Sequence, residues 1–394
     1  MRFTLKTLRV FLRRNISEAA VSNTMAEEDP TKKRPLIEDT QIIDAKKQKV
    51  EVDRIKRKKV ALLMCYSGLG YLGMQRNPGT KTIEEDLMKA LLKSSLITEE
   101  AYITPQQVMF QRAARTDKGV SAARQVVSLK LPEKSKVEEI NEHLPEQIRV
   151  LGLKRVTKNF NSKSSCDART YSYMLPTFAF TPSGQAVDET FRISPEIMEK
   201  VRETMKLFEG THNFHNFTSR RKPLDPSNNR YIMSFEAEEP FVSGELEMVV
   251  LKVKGQSFML HQIRKMVGLA VAVVSGLAPA ETVSRAWRTA ERLDIPVAPG
   301  AGLVLEEIHY DRYNQKFGKD GIHECLDWHE YDEDVAKFKK KFIHPAIVET
   351  ETKEKSMLNW LVTLPLHSYD VRENHVNDTA PTEQEEDGIQ AGDD

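Results

Sequence analysis

Only three cysteines, Cys65, Cys166 and Cys325, occur in 394 residues, far apart and with no C-x-x-C pair. That spacing excludes a disulfide framework and the common zinc patterns, and suits a reducing compartment. Long apolar runs are missing too: the longest, residues 266–274, is broken by Gly268. A membrane span requires roughly 18 to 20 apolar residues, so none is expected. No G-x-S-x-G elbow and no GK[ST] loop is present, which leaves acyl transfer and nucleoside-triphosphate chemistry without an anchor. An excess of one charge is also lacking, since 58 Lys+Arg balance 58 Asp+Glu. What the chain does have is 40% apolar and 29% charged residues, enough to build the cores of two ordinary domains.

The charge balance hides an asymmetry between the ends. Residues 1–60 carry 16 Lys+Arg against 9 Asp+Glu and residues 371–394 carry 1 against 8, leaving 41 against 41 between them. Any basic surface for a nucleic acid must therefore be local. Residues 1–24 place Arg2, Lys6, Arg9, Arg13 and Arg14 among Phe3, Leu5, Leu8, Val10, Phe11 and Leu12, with only Glu18 acidic. That is the composition of a mitochondrial transit segment. Residues 25–59 begin at Met25 and carry three basic clusters, Lys32 to Arg34, Lys46 to Lys49 and Arg54 to Lys59, which read as nuclear-import signals, nucleic-acid contacts or a solvated linker. A form made from Met1 is expected in mitochondria and one made from Met25 in the nucleus. Residues 371–394, acidic and without aromatics, read as a disordered tail.

Between the ends, hydrophobic periodicity predicts strands over 60–66, 108–113, 125–129, 148–156, 168–174, 231–236, 245–254 and 303–310. It predicts helices over 83–91, 136–144, 195–208, 258–274 and 279–290, the first with Thr82 as cap and Glu84, Glu85 and Asp86 in its first turn. This alternation indicates two α+β halves, 60–160 and 161–318, followed by a helical extension over 319–370. In the extension, Lys337, Lys339, Lys340 and Lys341 surround Phe338, as a basic patch or a solvated face.

Three motifs could carry chemistry. Gly68 to Gly73 spell G-x-G-x-x-G after an apolar strand and, taken alone, suggest a dinucleotide-binding oxidoreductase. Asn77, Pro78 and Gly79 then break the chain before any helix can open at the glycines, and no ribose-binding acid follows. His212 and His215 have a spacing seen in metal sites, but no second ligand pair accompanies them, so satisfied histidines are expected. In Arg112 to Ser121, Asp117 lies on a loop between strands with Arg112, Arg115 and Lys118 around it. Nearby cations favour an ionised carboxylate, which suits a nucleophile; an Asp-Lys-Gly turn in which Asp117 caps its own backbone is the other reading.

Six segments in order, YSGLGYLGMQ from Tyr66, RTDKGVSA from Arg115, DARTYSY from Asp167, FEGTHNFHNFT from Phe208, GQSFMLHQIRKMVG from Gly255 and GLVLEEIHY from Gly302, resemble the tRNA pseudouridine synthase A family. The extended ends and the segment after residue 318 resemble its eukaryotic branch. The resemblance covers about residues 60–318. It implies an α+β fold of two ferredoxin-like-derived halves whose antiparallel or mixed sheets join around a central basic cleft, with helices on the outer faces. It implies an isomerase that turns uridine into pseudouridine in tRNA, in or near the anticodon arm, with other structured RNAs as further substrates, and with no cofactor, metal, membrane or obligate protein partner. By the resemblance Asp117 is the essential carboxylate, whether it attacks ribose, attacks the base or takes a proton. Arg264 pairs with it, Tyr173 stacks on the target uracil, Arg115 fills the space of the flipped nucleotide, and Leu303 and Leu305 wall the uracil pocket. The family commonly has Trp-Gln after the glycine turn, where this chain has Met74 and Gln75. A catalytically idle RNA-binding module of the same fold and the oxidoreductase are the rival functions.

Overall fold

The computed structural model describes residues 56–219 and 221–371; the transit-like segment, most of the basic linker and nearly all of the acidic tail lie outside them. The strands are β1 (Arg57–Tyr66), β2 (Gln111–Arg112), β3 (Ser121–Pro132), β4 (Ile148–Arg155), β5 (Ala168–Pro176), β6 (Gly210–Asn213), β7 (Asn229–Ala237), β8 (Phe241–Ser243), β9 (Leu246–Gly255) and β10 (Leu303–His309). They form one mixed sheet in the order β4-β1-β3-β10-β5-β9-β7-β6, with β2 beside β3 and β8 beside β9. Every pairing is antiparallel except one. Val304 and Leu305 of β10 run parallel to Ser121 and Ala122 of β3, and this two-residue seam joins the blocks.

The expected strands are present, with β6 and β8 in addition. The segment expected as a strand over 108–113 is mostly a turn: Pro105 starts a 3₁₀ turn through Val108, and only Gln111 and Arg112 pair. Helix α1 (Ile83–Lys93) begins where its cap predicts, since the Thr82 hydroxyl accepts from the Glu85 N–H, a cap that contributes about 1 kcal/mol. Its Ile83, Leu87, Met88, Ala90 and Leu91 are buried on one stripe. Helix α2 (Pro195–Lys206) packs on β7 and on α3 (Gln262–Ser275). Helix α3 starts four residues later than its apolar pattern suggests, because His261 takes a left-handed conformation at φ 60° and the Gln262 side chain accepts from the Met259 N–H.

The extension contains α4 (Asp311–Phe317), α5 (Asp332–Phe338), α6 (His344–Glu354) and α7 (Ser356–Thr363). A π turn over Lys339–Ile343 links α5 to α6. Pro345 has no N–H for the carbonyl four residues back, so the α ladder cannot run through this point. Trp328 is buried in the core beneath the Lys154 ammonium, 4.6 Å from its ring. The same lysine donates to the Cys325 carbonyl at 2.9 Å and pairs with Glu330 at 2.5 Å, which ties the extension to β4.

Two bulges decide which side chains share a face. Tyr66 opposes Ala122 while Met64 opposes Gln125, so one extra residue of β3 sits between them. Likewise Leu305 opposes Tyr171 while Glu307 opposes Thr170, leaving Glu306 unpaired. Tyr66, Ala122, Gln125, Leu305 and Tyr171 thus lie on one face. Cys65, Arg124, Ser172 and Glu306 lie on the other, where Arg124 donates to Asp332 of the extension at 2.7 Å.

Candidate active site

The loop bearing Asp117 is held on both sides of it. The Ala113 N–H bonds the Val126 carbonyl at 2.8 Å, and the buried Gln125 amide donates to the Ala114 carbonyl at 2.8 Å. The Tyr66 hydroxyl and the Thr116 hydroxyl share a hydrogen bond of 2.7 Å. Burial pushes the Tyr66 phenol up to about 12, so it keeps its proton and remains a donor at neutral pH. From the glycine turn, the Met74 N–H donates to the Thr116 carbonyl at 3.0 Å and the Gly119 N–H to the Tyr71 carbonyl at 3.2 Å. A turn closes from the Val120 N–H to the Asp117 carbonyl at 3.1 Å, with Gly119 at φ +76°. The Asp-Lys-Gly turn therefore exists, with a backbone hydrogen bond across it.

Gly73 explains the glycine-rich motif. It has φ +96°, and a Cβ there would stand 2.9 Å from the Thr116 carbonyl oxygen. The turn lies against the Asp117 loop, and α1 opens only at Ile83. Gly68 and Gly73 serve close approach of two loops of this chain, whereas Gly70 has open space beside it and serves only a positive φ of 77°.

Arg264 sits in the first turn of α3. Its Nε donates to the Ala298 carbonyl at 2.6 Å, and its own carbonyl accepts from the Ala298 N–H at 3.2 Å. The guanidinium carbon, one terminal nitrogen and the Lys118 carbonyl all lie within 3.8 Å of the point where a Cβ on Gly300 would be. The fold therefore brings Arg264 beside Lys118, the residue that follows Asp117, although 146 positions separate the two in sequence.

Leu303 opposes Tyr173 and Leu305 opposes Tyr171 across β10 and β5. Both leucines are buried at the seam. The placement of Tyr173 does not suit a base platform. It is 1% exposed, its hydroxyl donates to the Pro299 carbonyl at 2.6 Å, and its ring lies against Gly302. Tyr171, 8% exposed on the same face, is the tyrosine whose surroundings include Asp117. Burial is the main force holding its phenol well above the ordinary range, opposed by Arg169 and reinforced by Tyr66 and Asp117. Phe258 meets the Tyr171 ring edge-on at 5.4 Å. Arg115 is exposed, and no described residue forms a hydrogen bond or ion pair with its guanidinium.

Three side chains that pattern reading passed over hold this arrangement. Tyr66 and Gln125 support the loop from below. Arg169 donates from Nη2 to the Ala113 carbonyl at 2.7 Å and from Nη1 to the Gln256 carbonyl at 3.4 Å, linking the Asp117 loop to the approach to α3. Period-two alternation puts Tyr171 and Tyr173 on one face but cannot say which partners each one meets. The two histidines are structural: His212 stacks on Trp287 at 4.5 Å, and His215 contacts Asn213 and the Glu291 carbonyl. Among the described residues no cluster of three or more His, Cys, Asp or Glu could hold a metal ion, and no helix is long and apolar enough to cross a membrane.

Comparison with known proteins meets this geometry. The family model described as tRNA pseudouridine synthase matches residues 204–311, which include Arg264, Leu303 and Leu305. A Homo sapiens protein named pseudouridylate synthase 1 homolog is 56% identical over 315 residues, covering 79% of this chain and 74% of the human protein. The Mus musculus protein of the same name is 54% identical over 80% of this chain and 76% of its own length. A Yarrowia lipolytica protein named tRNA pseudouridine synthase 1 is 34% identical over 76% of this chain and 72% of its own length. With this identity spread over most of its length, the chain belongs to the tRNA pseudouridine synthase family of isomerases.

Proposed function

We propose that this protein converts uridine to pseudouridine in tRNA, with Asp117 as the essential carboxylate. The observation that carries the reading is the convergence of the Asp117 loop, the Arg264 guanidinium and Tyr171 at the seam between β3 and β10. Isomerisation breaks the bond from C1′ to N1, turns the detached uracil and joins C5 to C1′, with the C5 proton lost and one gained at N1. Nothing is added overall, so the reaction needs a placed carboxylate, an ordered base and a proton acceptor. Asp117 serves as nucleophile; Arg264, fixed through Ala298, holds the carboxylate ionised and oriented with its remaining N–H groups. Tyr171 takes the stacking role that the resemblance suggested for Tyr173, because Tyr173 is sealed beneath Pro299 and Gly302. Leu303 and Leu305 back this region, and the exposed Arg115 occupies the place of the extruded nucleotide, since a base within a stem must flip to reach a carboxylate.

The same proposal takes in several finer points. The antiparallel blocks on either side of the seam support two halves of ferredoxin-like origin, 60–160 and 161–318, with the RNA held over the seam in a basic cleft. The anticodon arm is the region of tRNA the resemblance points to, and other structured RNAs follow if their uridines can be flipped. Residues 1–24 direct the longer form to mitochondria and the basic clusters direct a form from Met25 to the nucleus, which reporters carrying each segment test. The chemistry is tested by Asp117→Asn, which keeps size and loop. We expect no pseudouridine in tRNA transcripts by nucleoside analysis while RNA affinity stays within a few fold, because affinity comes from many phosphate contacts. Turnover comparable to wild type would remove Asp117 from the mechanism.

A further inference from the structure

Glu306 is the extra residue of the β10 bulge, next to Leu305 and on the opposite face of the sheet from the Asp117 loop. Its side chain is 12% exposed and accepts two sets of hydrogen bonds. The Ser172 hydroxyl donates at 2.6 Å, from the residue between Tyr171 and Tyr173. The Lys339 ammonium reaches both carboxylate oxygens at 2.8 Å. Lys339 opens the π turn of the C-terminal extension, which places its ammonium over the back of the sheet. Cys65, Arg124, Asp334 and His344 border the same region. This contact joins the C-terminal extension to the two strands that form one wall of the site.

We infer that Lys339 is a positioning residue for catalysis: through Glu306 it fixes the β10 bulge, and with it the placement of Leu305 and Tyr171 against Asp117. The reasoning is electrostatic and geometric. A carboxylate this buried needs a countercharge, and Ser172 alone supplies one hydrogen bond and no charge. Without Lys339 the bulge moves toward water to hydrate Glu306. Because Ser172 and Leu305 are its immediate neighbours across and along the strands, that movement is passed to the opposite face. The extension thus acts on the reaction without touching RNA.

This inference rests on the reading of the site as a uridine isomerase, so wild type and Asp117→Asn are run beside the test variants. Single-turnover pseudouridine formation at saturating enzyme, RNA affinity and thermal midpoint are measured for the full chain carrying Lys339→Met, Lys339→Arg, or Lys339→Met with Glu306→Gln. We expect Lys339→Met to lower the rate on the order of 10- to 100-fold, the scale of sub-ångström to ångström misplacement, with RNA affinity within threefold of wild type. Lys339→Arg keeps the charge and recovers the rate to within about fivefold. The double variant recovers it as well, because a glutamine still accepts from Ser172 and needs no countercharge. Both recovering variants keep the bulge satisfied, so the test survives even if Lys339→Met does not fold. An unchanged rate in Lys339→Met overturns the inference, as does a loss of RNA affinity that accounts for the whole effect. A double variant that regains its thermal midpoint but not its rate overturns it too. If wild type itself forms no pseudouridine, it is the functional reading that fails.

Discussion

Replacing Gly73 with alanine tests whether the glycine turn sets the position of the catalytic loop. Two costs can be worked from the structure. The first is backbone strain, since φ +96° is open to glycine and costs an alanine about 1–3 kcal/mol. The second is a collision: the new Cβ would stand 2.9 Å from the Thr116 carbonyl oxygen, whereas ordinary contact begins near 3.4 Å. Roughly 0.5 Å must be found by moving one loop from the other, and the Met74 to Thr116 hydrogen bond couples the two. Asp117 follows Thr116 directly, so its carboxylate moves with the loop. If about 1 Å costs on the order of 100-fold, half that displacement costs about 10-fold in turnover. Gly79→Ala is the matched control: Gly79 has φ +76° and open space where its Cβ would go, so it bears the strain without the collision. Both variants should lose stability in urea unfolding, Gly73→Ala the more because it adds the collision to the strain, and only Gly73→Ala should lose single-turnover rate, with tRNA affinity unchanged. Equal rates in the two variants would refute the coupling between the turn and Asp117.

Tyr173→Phe should leave turnover within a few fold of wild type but cost about 1–3 kcal/mol in denaturant unfolding, because the Pro299 carbonyl loses its buried donor. Tyr171→Leu should show the reverse, a large loss of turnover with a smaller loss of affinity, and the pair of kinetic measurements separates the two tyrosines. Arg264→Lys keeps positive charge near Lys118 but loses the Nε bond to Ala298 and the planar fork, so single-turnover rate should fall on the order of 100-fold with binding nearly unchanged. Lys59, which donates to the Met109 carbonyl, has its ammonium lowered to about 8 by burial and then by Lys130. Between about pH 8 and the ordinary lysine value the unfolded chain binds more protons there than the folded one, so stability rises with pH. Relative to Lys59→Met, wild type should gain about 1–2 kcal/mol between pH 8 and 9.5 in urea titrations.

Most of the framework was legible from the chain alone, for reasons of periodicity and local chemistry. A continuous β-rich apolar run over residues 60–66 and strand-like patterns over 148–156 and 168–174 identified β1, β4 and β5, and Thr82 with its acids marked the start of α1. A carboxylate among cations on a loop singled out Asp117, and six ordered motifs gave the family. Local pattern could not foresee the left-handed His261 that delays α3, nor the two-residue strand where Pro105 had already turned the chain. It also could not rank Tyr171 against Tyr173. Both obey the same period and both are buried, and only the arrival of Pro299 and Gly302, more than 120 residues later, gives the Tyr173 hydroxyl and ring their partners. The nearness of Arg264 to Lys118, the reach of Arg169 to Ala113 and the Lys339 contact with Glu306 belong to the same class. Sequence fixes what a residue can donate, accept or bury within a turn or a strand. Which groups then meet depends on sheet order, on bulges that reverse a face, and on an extension folded over the back of that sheet, and these are properties of the packed chain as a whole.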